Sequence, residues 1–236
     1  MKKIAFIILV IAIASCNTRN KKVTTYYDTE GTRPHEVYAV KNDSPSIKEG
    51  VYLLYAEDGQ LIERRNYVSN KISDTLIKYY PSGKMSEKAL YKNGLQNGVR
   101  KVFFETGVEM IFENYKDGIF EGGYRSYYAS SKLKEEGQYV NNAMDGLWKF
   151  YYDSVKIKEE VYFLGNEENG PYKSFYKSGK VKEIGTYINA IESGNWKTFY
   201  ENGNLMTETN YVDGKPTGDV MHYDENGKLL RKETEK

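Results

Sequence analysis

The sequence predicts an all-β fold in which stacked β-hairpins form one elongated, meandering antiparallel sheet. Three observations predict it. A pattern of glycine and aromatic residues recurs every 24 residues from Gly50 onward in the 236-residue chain. The aromatic and β-branched segments between turn residues are six to eight residues long, which is a typical strand length. No segment carries the 3.6-residue apolar stripe of an amphipathic helix.

The composition excludes several classes of protein. With 23 Tyr, 9 Phe and 2 Trp, the chain is too aromatic to be disordered. The 34 basic and 33 acidic residues leave a net charge of +1, so we expect no nucleic-acid partner. One cysteine and two histidines, His35 and His222, cannot supply the ligands of a zinc site. We therefore expect no metal and no cofactor.

The first residues have the pattern of a secretory leader. Two lysines precede an eleven-residue apolar run, which is too short to cross about 30 Å of hydrocarbon as a helix. Residues 13–16, IASC, resemble the lipobox of bacterial lipoproteins. The resemblance implies a signal peptide over residues 1–15 and a lipid on Cys16, which would anchor the protein to a membrane without spanning it. The alternative is an idle cysteine after an ordinary secretory leader.

Two short segments are predicted between the anchor and the repeats. Residues 16–27 comprise the lipidated cysteine and a polar tether that has basic but no acidic residues. Residues 28–49 are predicted to be a degenerate N-terminal cap, because residues 26–31 (YYDTEG) look like a decayed repeat and repeat arrays need capping units. The tether lacks the acidic signal that directs some lipoproteins to the outer surface. We therefore expect a protein of the bacterial cell envelope that faces the periplasm.

Residues 50–236 are predicted to hold seven full repeats and a C-terminal half repeat. The residue five positions after each start is aromatic in all eight cases: Tyr55, Tyr79, Phe103, Tyr127, Tyr151, Phe175, Phe199 and Tyr223. A glycine follows four positions later in six repeats and is replaced by Ser131 and Val155 in the other two. A later column is also aromatic: Tyr67, Tyr91, Tyr115, Tyr139, Phe163, Tyr187 and Tyr211.

The consensus G-x-(W/Y)-x-x-(Y/F)-Y-x-x-G-x-(L/V), followed by Y-x-(N/D)-G, resembles the MORN-variant repeat. The resemblance covers about four fifths of the chain. It implies hairpins stacked into one elongated sheet. It also implies a binding role, because bacterial proteins with these repeats are often described as antitoxins and eukaryotic relatives serve as scaffolds.

Charge chooses between two possible registers for the hairpin turn. A three-residue loop that ends on glycine, as in residues 177–179, matches a type I turn whose third residue is left-handed. This loop would place Lys173 opposite Glu183, whereas a two-residue loop would place it opposite another lysine. We therefore expect three-residue loops, with Phe175 opposite Val181. The same register pairs Lys149 with Glu159 and Arg125 with Glu135.

Strict alternation along each strand assigns aromatic side chains to both faces of the sheet. One face is predicted to carry the invariant aromatic column, its aliphatic partners and the later tyrosine column. The other face is predicted to carry the candidate partner-binding residues, because an extended aromatic patch usually marks a contact surface. These are Tyr124, Trp148, Tyr172, Trp196, Tyr128, Tyr152, Tyr176 and Tyr200. The alternative is that both aromatic ladders are structural.

The sequence offers no catalytic residues. A column of glutamates, Glu63, Glu87, Glu135, Glu159 and Glu183, repeats every second strand. Members in adjacent repeats would lie about 9.6 Å apart, which is too far for the paired carboxylates of a retaining glycosidase. We therefore expect a protein that is not an enzyme.

These observations predict a lipid-anchored, non-enzymatic repeat scaffold that binds a protein partner, with an antitoxin-like role implied by the resemblance. The alternative is an envelope protein that binds glycan or peptidoglycan through the aromatic stripe. Trp148 and Trp196 would lie about 19 Å apart by strand spacing, and their rings could stack on sugar faces.

Overall fold

Nineteen strands in one antiparallel sheet make up the fold, which a computed structural model describes over residues 20–234. Each strand pairs with the next one along the chain, except that β9 and β10 both pair with β8. The predicted meander of stacked hairpins is therefore confirmed. The predicted signal peptide and Cys16 lie outside the described residues.

Most strands are eight or nine residues long. They are β1 (Lys21–Tyr26), β2 (Pro34–Lys41), β3 (Ser44–Tyr55), β4 (Leu61–Val68), β5 (Lys71–Tyr79), β6 (Met85–Lys92), β7 (Leu95–Phe103), β8 (Glu109–Lys116), β9 (Ile119–Phe120), β10 (Gly122–Tyr127), β11 (Leu133–Val140), β12 (Ala143–Tyr151), β13 (Ile157–Leu164), β14 (Glu167–Phe175), β15 (Val181–Ile188), β16 (Ile191–Phe199), β17 (Leu205–Val212), β18 (Lys215–Tyr223) and β19 (Leu229–Thr234).

Three-residue loops close the hairpins at one edge of the sheet, as predicted. The Tyr176 N–H donates to the Lys180 carbonyl (2.8 Å), and the Gly179 N–H donates to the Tyr176 carbonyl (2.8 Å). Gly179 has φ +93°, in the left-handed region that glycine tolerates. Ser131 and Val155 occupy the same position at φ 66° and 62°. The branched Val155 is therefore strained, since its Cβ crowds the backbone there.

Two-residue turns close the hairpins at the opposite edge. Both central residues have positive φ, as in Asn189 (52°) and Ala190 (61°), which is the conformation of a type I′ turn. The Asn93-Gly94 and Asp117-Gly118 pairs supply the residues that this turn prefers. The Y-x-(N/D)-G segment of the consensus is therefore the signature of the second turn.

A β-bulge follows the three-residue loop and changes the predicted charge pairs. Phe175 pairs with Val181 as predicted, but Ser174 then pairs with Glu183, and Lys173 pairs with Ile184. The predicted pairing of Lys173 with Glu183 is wrong, because the bulge accommodates one extra residue on β15.

The same bulge corrects the other two predicted pairs. Lys149 lies opposite Glu160 rather than Glu159, with 3.6 Å between Nζ and Oε1. Arg125 lies opposite Glu136 rather than Glu135, with 3.8 Å between Nε and Oε2. Opposite charges still meet, because each Glu-Glu dipeptide offers one carboxylate to each face of the sheet.

The bulge also moves the later tyrosine column to the other face. We call the face that carries Trp148 and Trp196 face A, and the face that carries the invariant aromatic column face B. Gly185 pairs with Tyr172, so Tyr187, two residues further on, lies on face A. The prediction that placed this column with the invariant aromatic residues is therefore wrong.

Part of the predicted tether belongs to the sheet. Residues 21–26 form β1, and Val23 pairs with Tyr38 of β2. The segment Val23-Thr24-Thr25 is β-branched, which favours a strand over a solvated tether. The predicted cap, residues 28–49, contributes β2 and the beginning of β3 to the same sheet.

Candidate functional site

The tryptophan column lies in the core. Trp148 is 2% exposed and Trp196 is 5% exposed, and Tyr52 and Leu76 at equivalent positions are also buried. The prediction that both tryptophans belong to a partner-binding surface is wrong, because a buried ring cannot contact a partner. The column varies because different side chains fill the core of different repeats.

A glycine on the preceding strand makes room for each tryptophan. A Cβ atom at Gly137 would lie 2.2 Å from Cδ2 of Trp148, and one at Gly185 would lie 2.2 Å from Cδ2 of Trp196. Each glycine lies eleven residues before its tryptophan, and neither belongs to the turn glycines. This spacing is the signal in the sequence that indicates the buried site.

Aromatic contacts join the core side chains along face A. The ring of Trp148 lies 5.2 Å from Tyr139 in an edge-to-face arrangement and 5.4 Å from Tyr124. Trp196 lies 5.0 Å from Tyr187 and 5.5 Å from Tyr172. Such contacts stabilise a protein beyond the burial of area alone. Tyr124 and Tyr172, two of the candidate binding residues, are therefore half-buried parts of the core layer.

The other four candidate tyrosines link adjacent repeats. Each hydroxyl donates to a main-chain carbonyl 23 residues further on. The bonds are Tyr128 to Tyr151 (2.6 Å), Tyr152 to Phe175 (2.9 Å), Tyr176 to Phe199 (2.6 Å) and Tyr200 to Tyr223 (2.8 Å). Tyr80 makes the same bond to Phe103. These side chains therefore have a structural role between repeats.

The glutamate column lies on face A, within the same network. Glu135 accepts hydrogen bonds from the Tyr124 hydroxyl (3.1 Å) and the Ser126 hydroxyl (2.8 Å). Burial and the neighbouring Glu135 raise the pKa of Tyr124. A tyrosine that stays neutral keeps its proton and can continue to donate a hydrogen bond to the carboxylate. Glu135 therefore has a structural role, as the acceptor of both hydrogen bonds.

Exposed apolar side chains form a row on face B, beside the two-residue turns. They are not apparent as a group in the sequence, because they are spread over seven turns. Their exposed fractions range from 39 to 62%. This aliphatic row comprises Val68, Leu95, Ile119, Val140, Leu164, Ile188, Ile191 and Val212.

Neither a metal centre nor a membrane-spanning helix is found in the described part of the chain. Within residues 20–234, no group of three or more His, Cys, Asp or Glu side chains could hold a metal ion. The same residues form no helix long and apolar enough to cross a membrane.

Comparison with known proteins identifies a repeat family. The family model described as "MORN repeat variant" matches seven segments, which are residues 48–69, 75–93, 120–141, 144–164, 168–189, 192–213 and 216–234. These segments cover more than half of the chain. The search of curated proteins finds no match.

Two solved structures show a weak overall similarity to this chain. One is titled "Crystal Structure of TcdB2-TccC3-Cdc42", with 11% identity and a TM-score of 0.22 over 89% of this chain and 13% of the other. The second is titled "Crystal Structure of TcdB2-TccC3-TEV", with 10% identity and a TM-score of 0.22 over 89% of this chain and 14% of the other. The chain thus spans about one seventh of their length.

Proposed function

Because this chain belongs to the MORN repeat variant family, we propose that it is a non-enzymatic scaffold that binds a protein partner along the aliphatic row of face B. The exposure of that row is the observation that supports the proposal. The row follows successive two-residue turns, which are two strands or about 9.6 Å apart. An apolar surface of this extent usually marks an interaction site.

The charges beside the row favour a protein over an anionic lipid surface. The charged residues in or next to these turns are Lys71, Lys92, Lys116 and Lys215 together with Asp117, Glu121, Glu167 and Asp213. A membrane-binding surface would concentrate basic residues. Mixed charges around apolar side chains are typical of the polar rim of a protein interface.

A triple variant tests this surface. We expect Leu164→Thr, Ile188→Thr and Ile191→Thr together to weaken binding to the native partner at least tenfold, because three exposed apolar contacts are lost. The partner would be isolated with wild-type protein from the native envelope, and its affinity for each purified variant measured by calorimetry.

The matched control changes three exposed apolar residues outside the row: Val51→Thr, Ile62→Thr and Leu230→Thr. We expect it to bind within about twofold of wild type. Equal affinities of the two triple variants would contradict the proposal. If the row variant instead loses only its sedimentation with lipid vesicles, the row is a membrane surface.

We also propose that a lipid on Cys16 holds the scaffold on a bacterial membrane, facing the periplasm. The resemblance of residues 13–16 to a lipobox supports this. Mass spectrometry of wild type should find a chain that begins at an acylated Cys16, and Cys16→Ala should abolish acylation and that cleavage. An unmodified Cys16 in envelope-expressed wild type would refute the anchor.

An antitoxin-like role would make the partner a toxin protein, and the same isolation of the partner tests it. The glycan alternative needs ring faces that a sugar can reach. Burial of Trp148 and Trp196 leaves no observation that favours it.

A further inference from the structure

In the N-terminal repeats, the chain places its own cations on face A. The Lys48 ammonium lies 4.7 Å from the ring centre of Tyr38 and 4.9 Å from that of Tyr52. The Arg65 guanidinium lies 4.3 Å from the ring centre of Tyr52, and its Nε lies 2.8 Å from Oε1 of Glu63. Aromatic faces and carboxylates thus recognise lysine and arginine side chains on this surface.

In the following repeats, another arginine of the chain binds carboxylates on face A. Arg100 occupies the core column and bridges two carboxylates, at 3.2 Å from Glu87 and 2.7 Å from Glu113. Lys78 lies 3.3 Å from Glu87 as well. In this half of the sheet, three carboxylates of face A (Glu63, Glu87 and Glu113) have a cation from the chain itself.

From β13 to β17, the carboxylates of face A remain, but three of them have no ion pair with a cation from the described chain. Glu168 pairs with Phe163, and Glu192 pairs with Tyr187, which places both glutamates on face A beside Glu183. In the described chain, no Lys or Arg lies within ion-pair distance of these three carboxylates. Among residues 20–234, the ion-pair partner of Glu159 on the same face is its sequence neighbour, Lys158 (3.0 Å).

Burial, together with neighbouring carboxylates, raises pKa values on this surface. Burial raises the pKa of Glu183; nearby Lys182 lowers it, and the negative charges of Glu192 and Glu159 add to the increase. Burial and the neighbouring Glu168 raise the pKa of Tyr187 to about 12. An arriving cation would relieve this repulsion.

Within residues 20–234, a buried hydroxyl in the middle of the cluster has no hydrogen-bond partner of good geometry. It belongs to Ser174, which is 5% exposed and pairs with Glu159 on one side and with Glu183 on the other. The equivalent hydroxyl of Ser126 donates to Glu135. Ser174 is therefore placed to donate to a carboxylate that turns toward an incoming cation.

We propose that face A from β13 to β17, with Glu168, Glu183 and Glu192 beside Tyr172 and Tyr187, binds a lysine- or arginine-rich extended segment of a partner polypeptide. The cations that the chain supplies to Tyr52, Glu87 and Glu113 show the chemistry that this surface lacks. Carboxylates of adjacent repeats lie about 9.6 Å apart, which matches every third residue of an extended chain. This surface is separate from the aliphatic row and does not depend on it.

The test uses the mature chain and a synthetic peptide of four Arg-Gly-Gly units, with a Gln-Gly-Gly peptide as its neutral counterpart. We expect wild type to bind the arginine peptide and not the glutamine peptide at low ionic strength. The variant Glu168→Gln, Glu183→Gln, Glu192→Gln should bind the arginine peptide about tenfold more weakly.

The matched control removes three acidic charges elsewhere: Glu167→Gln, Glu201→Gln and Glu225→Gln. It should bind within about twofold of wild type, and equal losses in both variants would overturn the proposal, since net charge alone would then explain binding. Peptide binding should also lower the pKa of Glu183 in wild type, and nuclear magnetic resonance titration would measure that pKa. If the pKa of Glu183 in wild type does not change when the peptide is added, the proposal is overturned, even if a variant fails to fold.

A second copy of the chain is the competing occupant. Sedimentation would show it as self-association of wild type that the Glu168, Glu183 and Glu192 variant loses. If that occurs without peptide binding, the proposal is overturned and face A is an interface between copies.

Discussion

Trp148→Ala is expected to lower the free energy of unfolding by about 3 to 5 kcal/mol, the usual cost of truncating a buried aromatic side chain. The indole is 2% exposed and has ring contacts with Tyr124, Tyr139, Phe150 and Phe163.

Denaturant unfolding would measure the change. Tyr162→Ala is the matched control, because Tyr162 pairs with Leu147 on face B and is 39% exposed. We expect the control to cost less than about 1 kcal/mol. A Trp148 variant as stable as the Tyr162 variant would mean that the tryptophan column contributes nothing to the core.

Gly137→Ala is expected to cost about 3 kcal/mol, at the upper end of the usual range for overpacking. The added Cβ would lie 2.2 Å from the indole of Trp148, whose ring is enclosed by its neighbours and has little room to move. Gly123→Ala on the adjacent strand is the control, because its Cβ would meet only Asn114 at 3.7 Å.

A second substitution tests the cause of the loss. We expect Trp148→Tyr to restore at least half of the stability that Gly137→Ala removes, because Tyr172 at the equivalent position has Val161, and not glycine, opposite it on the preceding strand. If the double variant is less stable than Gly137→Ala alone, the clash with the indole is not the reason for the loss.

The local chemistry of the turns was predictable from the sequence. Glycine at Gly179 and its equivalents specifies the left-handed third residue of the loop, and the loop length follows from the position of that glycine. The invariant aromatic residues also pair with the predicted aliphatic partners, as Phe199 does with Leu205. These features depend on residues close together in the chain.

The assignment of faces was not predictable by alternation alone. One bulged residue after each loop reverses the phase of the strand that follows, so that Val181 lies on face B and Glu183 on face A. The bulged residues, such as Lys158 and Lys182, are of a type that also occurs in regular strands, so the sequence does not mark the bulge. Period-two counting therefore placed the later tyrosine column on the wrong face.

Burial of the candidate site depends on pairing between strands. Leu76, Arg100 and Trp148 share one column although they differ in chemistry, because each of these side chains has a matching neighbour on an adjacent strand. Arg100 has Glu113, and Trp148 has Gly137. The net charge of +1 likewise hides the acidic character of face A, because the register decides which charges share a face.

The two tryptophans belong to the core of the sheet, so neither indole is open to solvent or to a partner. The chain has two tryptophans, Trp148 and Trp196, so acrylamide quenching of its tryptophan fluorescence reports on these two side chains alone. We predict that quenching of the native protein is several-fold weaker than quenching of the chain unfolded in denaturant. Equal quenching of the native and unfolded chains would show that both indoles are open to solvent and would contradict this account.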